Sequence, residues 1–342
     1  MVGGVVRAPI SLNNAYGNIW FYSQHLVQIM QSVFVIDALI RRRERRARGG
    51  RSHTYRGGAV MAKIFISAFA DEYSSEVSGQ LDALSILGFD RIEPRFIGEK
   101  NIADLTDSEA LELKARLDDA GVCAYAIGSP LGKISLNDDY GAHLERAERV
   151  FKIANILGAK NIRMFSFYLP EGRTRAECRE EVIARLTAML DLADRYGVTL
   201  CHENEAKIYG ETPEMCLDLL EALGGRLRCV FDMGNFVLDG CEPYPHGYEL
   251  LCDYIEYFHI KDSLPEGAIV PPGLGKAHIA EILAAHAARG RDFTVTLEPH
   301  LELFSGLNSL TDSKFEKPYK FETKEQAFLE AGERLKAIIE KI

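Results

Sequence analysis

The chain has 342 residues, 47% of them hydrophobic and 26% charged, the balance of a globular protein with a substantial core. Its net charge of −10 is unevenly spread: residues 1–60 hold nine arginines against Asp37 and Glu44 (+7), which leaves 31 basic and 48 acidic residues (−17) in 61–342. A surface that neutralises phosphates needs the opposite sign, so the main domain is not expected to bind nucleic acid.

Residues 1–60 read as an N-terminal extension, poorly ordered or lying upstream of the true start. Apolar side chains are frequent over 17–40, but Gln24, His25, Gln28, Gln31 and Asp37 interrupt them. A spanning helix needs about 20 predominantly apolar residues. The basic run Arg41-Arg42-Arg43-Glu44-Arg45-Arg46 follows the apolar stretch, whereas a signal peptide places its charges first. The spacing of Leu26, Met30, Val33, Phe34 and Ile40 would suit an amphipathic helix on a membrane surface. The preferred reading is simpler: Met61-Ala62-Lys63 directly precedes a strong strand, and Met61 is the expected start of the working protein. No membrane partner is expected for the domain that follows.

From residue 61 on, short β-branched or aromatic runs alternate with longer segments of helical period. Strands are predicted at 64–69, 91–94, 122–127, 161–165, 199–203, 228–232, 254–260 and 293–298. Helices are predicted near 75–87, 108–120, 139–157, 174–196, 212–223, 246–252, 276–289 and 323–340. Gly88, Gly121, Gly158 and Gly197 each follow a helix and lead into a strand, where a left-handed cap is needed. Thr212-Pro213-Glu214 places a hydroxyl cap before a proline at the first helical position, and Thr106-Asp107 opens the second helix similarly. Eight βα units in one domain, 61–342, predict an α/β fold, a (β/α)₈ TIM barrel with outer helices. A doubly wound sheet is less suitable, because the first strand runs into Ala68-Phe69-Ala70-Asp71-Glu72 rather than a glycine-rich dinucleotide turn. The seven cysteines form no CxxC pair and are odd in number. They read as reduced structural thiols of a cytoplasmic protein.

Four successive strands end in a metal-ligand type: Glu203, Asp232, His259 and Glu298, separated by 29, 27 and 39 residues, one βα unit each. In a barrel, C-terminal strand ends converge on one mouth. Three carboxylates and an imidazole there require a cation among them. Oxygen-rich ligands with one nitrogen suit one divalent ion, Mn²⁺ foremost, with Co²⁺, Mg²⁺ or Zn²⁺ also compatible.

These residues also carry a resemblance. Gly128-Ser129-Pro130-Leu131-Gly132-Lys133, Ile162-Arg163-Met164-Phe165-Ser166-Phe167-Tyr168, His202-Glu203-Asn204-Glu205, Ile208-Tyr209-Gly210, Phe231-Asp232-Met233-Gly234-Asn235-Phe236, His259-Ile260-Lys261-Asp262 and Leu297-Glu298-Pro299-His300 resemble the xylose isomerase-like barrel superfamily, specifically its sugar phosphate isomerase/epimerase proteins, over about 63–342. The resemblance implies the same four ligands. It also implies that Glu203 and Glu298 are catalytic, sharing removal and return of a proton beside a carbonyl, with the metal stabilising the enediolate.

Glu93, Lys133, Arg163, His202, Asn204, Lys207, Asn235, Lys261 and His300 are the expected contacts to a sugar-like small molecule. His202 has the alternative of pointing away from the mouth, since side chains alternate along a strand. Lys261 and Asp262 have the alternative of pairing with each other. Ketohexose 3-epimerases of this superfamily usually carry a histidine where Asn235 stands, and an arginine soon after the ligand histidine. Here no arginine lies between His259 and Arg289, which directs attention to another keto-sugar, polyol, glycoside or sugar phosphate. Competing readings are an inosose dehydratase-like lyase on the same site, an endonuclease IV-like phosphodiesterase and a non-catalytic sugar-binding protein. By analogy with related barrels, a homo-oligomer is a further expectation.

Overall fold

The computed structural model describes residues 62–302 and 318–342; the expectations for residues 1–60 and for Met61 lie outside the described residues. In chain order the main elements are β1 (Ile64–Ala68), α1 (Val77–Leu87), β2 (Arg91–Ile92), α2 (Asp107–Asp119), β3 in two pieces (Cys123–Ala124 and Ala126–Gly128), α3 (Tyr140–Leu157) and β4 (Asn161–Met164). There follow α4 (Arg175–Tyr196), β5 (Thr199–Glu203), α5 (Pro213–Ala222), β6 (Arg228–Asp232), α6 (Met233–Leu238), α7 (Tyr248–Leu251), β7 (Ile255–Ile260), α8 (Ile279–Ala287), β8 (Phe293–Leu297) and α9 (Lys324–Ile339).

Every barrel pairing is parallel. The second piece of β3 pairs with β4, and the sheet continues through β5, β6, β7 and β8 to β1. The short β2 pairs with the first piece of β3. On its other side the Glu93 N–H donates to the Ala68 carbonyl at 3.1 Å, which closes the ring. The predicted (β/α)₈ barrel is therefore the observed architecture.

Local chemistry accounts for the helix ends. Thr106 and Thr174 open α2 and α4 as reciprocal capping boxes with Glu109 and Glu177. Thr212 caps α5 ahead of Pro213. Gly158 and Gly197, in left-handed conformation at φ 76° and 65°, end α3 and α4 and turn the chain into the next strand. No helix of the described residues is long and apolar enough to cross a membrane.

Strand alternation divides the core in two. Leu200, Phe231 and Phe258 face outward into the large apolar layer beneath the helices. Ala126, Cys201, Val230 and Tyr257 face inward and form a small separate cluster in the barrel lumen. Two residues further along β5, β6 and β7 come Glu203, Asp232 and His259, and a period of two keeps them on the same inward face. The apolar plug is thus the floor on which a polar layer sits.

Candidate metal centre

Glu203, Asp232, His259 and Glu298 are all buried, and each offers one ligand atom within 4.8 Å of the others. His259 lies at the middle. Its Nδ1 is 2.8 Å from Glu203 Oε1 and 3.1 Å from Glu298 Oε2. Its Nε2–H donates to Glu93 Oε2 at 3.2 Å. Burial alone would lower the His259 pKa, but the Glu203 and Glu93 charges outweigh it and hold the ring well above its ordinary value.

The remaining donors are arranged from below and from the sides. Arg163 on β4 donates to Glu203 Oε2 at 2.9 Å. Burial raises the Glu203 pKa, yet His259 and Arg163 overcome that and bring it down to about 2. Asp232 Oδ1 accepts the Asn235 N–H at 2.8 Å and so caps α6, while Oδ2 faces the Lys261 ammonium at 3.0 Å. Burial dominates here and pushes Asp232 up to about 7. Glu298 Oε1 accepts from Arg95 at 2.9 Å.

Two observations bear on whether these residues suit a cation. Asp232 Oδ2 and Glu298 Oε2 are buried and receive no aligned hydrogen bond, only the ion-pair contacts of Lys261 Nζ at 3.0 Å and His259 Nδ1 at 3.1 Å. A buried carboxylate oxygen held by an ion-pair contact alone keeps lone pairs that a cation can take up. Around His259, itself held toward its charged form, Asp71, Glu72, Glu93, Glu203, Asp232 and Glu298 are six of the buried carboxylates, against the buried cations Arg95, Arg163 and Lys261. The residues present fit a divalent ion.

The residues expected around the ligands separate into three groups. Lys261 and His300 lie against the cluster: Lys261 as above, and His300 with Nε2 3.2 Å from Glu298 Oε1. Burial, then the Lys261 charge, lowers His300 to about 3, so the ring is neutral. Lys133 stands further out and pairs with Glu205 at 2.9 Å.

A second group supports ligands rather than facing the mouth. Glu93 is fully buried, accepting from Tyr257 Oη at 2.9 Å and Thr296 Oγ1 at 2.8 Å as well as from His259. It sits against the Nε2 side of His259. Asn204 brackets the Asp232 backbone, donating to its carbonyl at 2.9 Å and accepting its N–H at 3.0 Å. Asn235 in turn donates to the Asn204 carbonyl at 2.9 Å.

The third group is not brought to the ligands. His202 faces outward, as its position one residue before Glu203 requires, with Nε2 2.9 Å from Ser166 Oγ. Lys207 is exposed. The supposed Lys261–Asp262 pair does not form: Asp262 instead accepts the backbone N–H groups of Ser263, Gly273, Gly275 and Ala277 at 2.8–3.1 Å and ties down the loop after β7.

The sequence reading missed Arg95, Asp71 and Glu72. Arg95 is fully buried, and it donates to Asp71 at 2.9 and 3.1 Å and to Glu72 at 3.3 Å in addition to Glu298. The signal was present. Arg95 continues the inward alternation Arg91, Glu93, Arg95, and Asp71-Glu72 follow β1 just as the ligands follow their strands.

Structures of similar shape have related architecture. An L-ribulose 3-epimerase is 21% identical with TM-score 0.63, over 82% of this chain and 95% of its own. A probable 3-DHS dehydratase of petrobactin synthesis from Bacillus anthracis is 18% identical with TM-score 0.60, over 79% and 97%. A xylose isomerase-like barrel protein from Mycobacterium smegmatis, solved in complex with magnesium, is 19% identical with TM-score 0.58, over 83% and 97%. No curated protein matches the sequence. The family model for the xylose isomerase-like TIM barrel matches residues 81–320, more than two thirds of the chain, which makes this protein a member of that family.

Proposed function

We propose that the protein is a divalent-metal-dependent isomerase or epimerase of a keto-sugar, sugar phosphate or related polyol, with Glu203, Asp232, His259 and Glu298 as ligands. The observation that carries this is the meeting of those four side chains in one buried group, where Asp232 Oδ2 and Glu298 Oε2 have ion-pair contacts but no aligned hydrogen bond. An ion held there, Mn²⁺ foremost among hard or borderline dications, would polarise the substrate carbonyl and ease loss of the neighbouring proton.

The protein's own residues supply the rest. Glu93 holds the Nε2–H of His259 and so aims Nδ1 at the ligand group. Arg95 holds Oε1 of Glu298 and leaves Oε2 turned toward His259. Glu203 and Glu298, from strands on two sides of His259, are the pair that takes a proton from carbon and returns it. Arg163 keeps Glu203 ionised for that work. Lys261, His300 and Lys133 are the substrate contacts. The fold similarity to a magnesium-bound barrel and to a sugar 3-epimerase supports the reading. So does the absence of paired cysteines, all seven being free thiols, which suits a cytoplasmic enzyme.

The test is incubation of Mn²⁺-loaded protein with a panel of keto-sugars and their phosphates in deuterated water, followed by NMR and mass spectrometry. An isomer carrying deuterium beside the carbonyl supports the reading. An isomer without deuterium retains the isomerase but replaces carboxylate proton transfer by a hydride shift. A product lighter by one water makes the protein a dehydratase. Metal-loaded protein that converts none of the panel counts against it.

A further inference from the structure

Next to the four-ligand group lies a second one, Glu72, Glu298 and His300, whose ligand atoms also fall within 4.8 Å of one another. His300 Nε2 is 3.4 Å from Glu72 Oε1 and 3.2 Å from Glu298 Oε1. An ion with bonds of about 2.1 Å holds its neighbouring ligands about 3.0–3.4 Å apart. Glu298 belongs to both groups, Oε2 turned to His259 and Oε1 to His300. The carboxyl geometry therefore offers two adjacent ion positions bridged by one glutamate.

A guanidinium is bonded to two of the three residues of this second group, Glu72 and Glu298. Arg95 is fully buried. It places NH1 2.9 Å from Glu298 Oε1, NH2 3.3 Å from Glu72 Oε1, and Nε and NH2 on the two Asp71 oxygens. Its plane is backed by the Phe69 ring, 4.2 Å from the centroid. We propose that Arg95 is a resident counter-ion that keeps the centre mononuclear, its guanidinium holding the place a second divalent ion would otherwise take. The inference rests on the metal reading above.

The physical reason lies in the guanidinium itself. It does not lose its proton, and its fixed fork of donors matches several carboxylates at once. A dication brought beside it would meet a permanent positive charge at contact distance. Among the described residues Arg95 reaches the four-ligand group through Glu298, and it is a positioning residue.

The test counts ions per chain by elemental analysis after equilibration with excess Mn²⁺ and gel filtration. It uses the full-length wild type, Arg95→Met and Arg95→Lys, with electron paramagnetic resonance as a second readout. The expected counts are one for the wild type and two for Arg95→Met, the latter with the exchange-coupled signal of a bridged pair. Arg95→Lys, which keeps the charge, is expected to return to one. One ion in both the wild type and Arg95→Met overturns this inference and leaves the metal reading standing, as does a wild type with two. No ion in the wild type overturns both. Should Arg95→Met be unfolded without metal, circular dichroism during Mn²⁺ titration decides. Folding at two equivalents supports the exchange of arginine for ion, and failure to fold at any concentration refutes it.

Discussion

His143 on α3 lets the protonation of one buried ring be followed into the loop that carries Lys133. Its Nε2 accepts the Gly132 N–H at 2.9 Å. Gly132 sits at φ 84°, where a Cβ would fall 1.9 Å from the Phe165 carbonyl oxygen, so the loop carrying Lys133 has no slack there. Burial, then the Arg146 and Arg185 charges, lowers His143 from 6.5 to about 4. Between these values the unfolded chain binds a proton that the folded chain refuses. Stability from this group is therefore complete above about pH 6.5 and is lost as the pH falls toward 4. The loss is about 2 kcal/mol at pH 5 and about 3 kcal/mol once both states are past their pKa values. Substituting His143→Gln keeps an oxygen acceptor for Gly132 but removes the titration. Thermal denaturation at pH 7.5 and pH 5, followed by circular dichroism, should show the wild type losing about 4 °C more than the variant, at about 2 °C per kcal/mol for a domain of this size. Parallel pH dependence in the two proteins would refute the reasoning.

Glu93→Gln should weaken Mn²⁺ binding about 10- to 100-fold by titration calorimetry, because the carboxylate that orients His259 is lost. Chelation should lower the melting temperature, and Mn²⁺ at 100 times its dissociation constant should restore about 2.7 kcal/mol. Asp232→Asn should abolish that restoration; a variant that still responds to Mn²⁺ would remove Asp232 from the ligand set. Asn204→Ala should cost about 2 kcal/mol in denaturant unfolding, since it strips partners from the buried N–H and carbonyl of Asp232. Lys207→Ala, at an exposed position, should leave kcat/KM within about twofold of wild type by the isomerisation assay.

The strand runs and the helix caps made the barrel legible because they are local. Thr212-Pro213, Thr106 and the glycines before β4 and β5 act on the residues beside them, and a repeat of eight βα units leaves few alternatives. The convergence of Glu203, Asp232, His259 and Glu298 was legible for a related reason. Parallel strands with one connecting helix each bring the same end of every strand to one mouth, so position in the repeat stands in for position in space. Alternation further separates His202 from Glu203 once the register is known, but register is a property of paired strands and not of one strand. The six-residue α6 was missed because so short a run shows no helical period; it exists because Asp232 caps it.

Which charge meets which was decided only when the ring closed. Glu93 reaches His259 across 166 positions of chain, and Arg95 reaches Glu298 across 203. Nothing local in either segment distinguishes a buried carboxylate behind a ligand from one facing substrate, because the difference is made by Tyr257 and Thr296 arriving from other strands. Residue type and strand period told which side chains point inward. The sharing of donors among six buried acids depended on distances that exist only in the folded barrel.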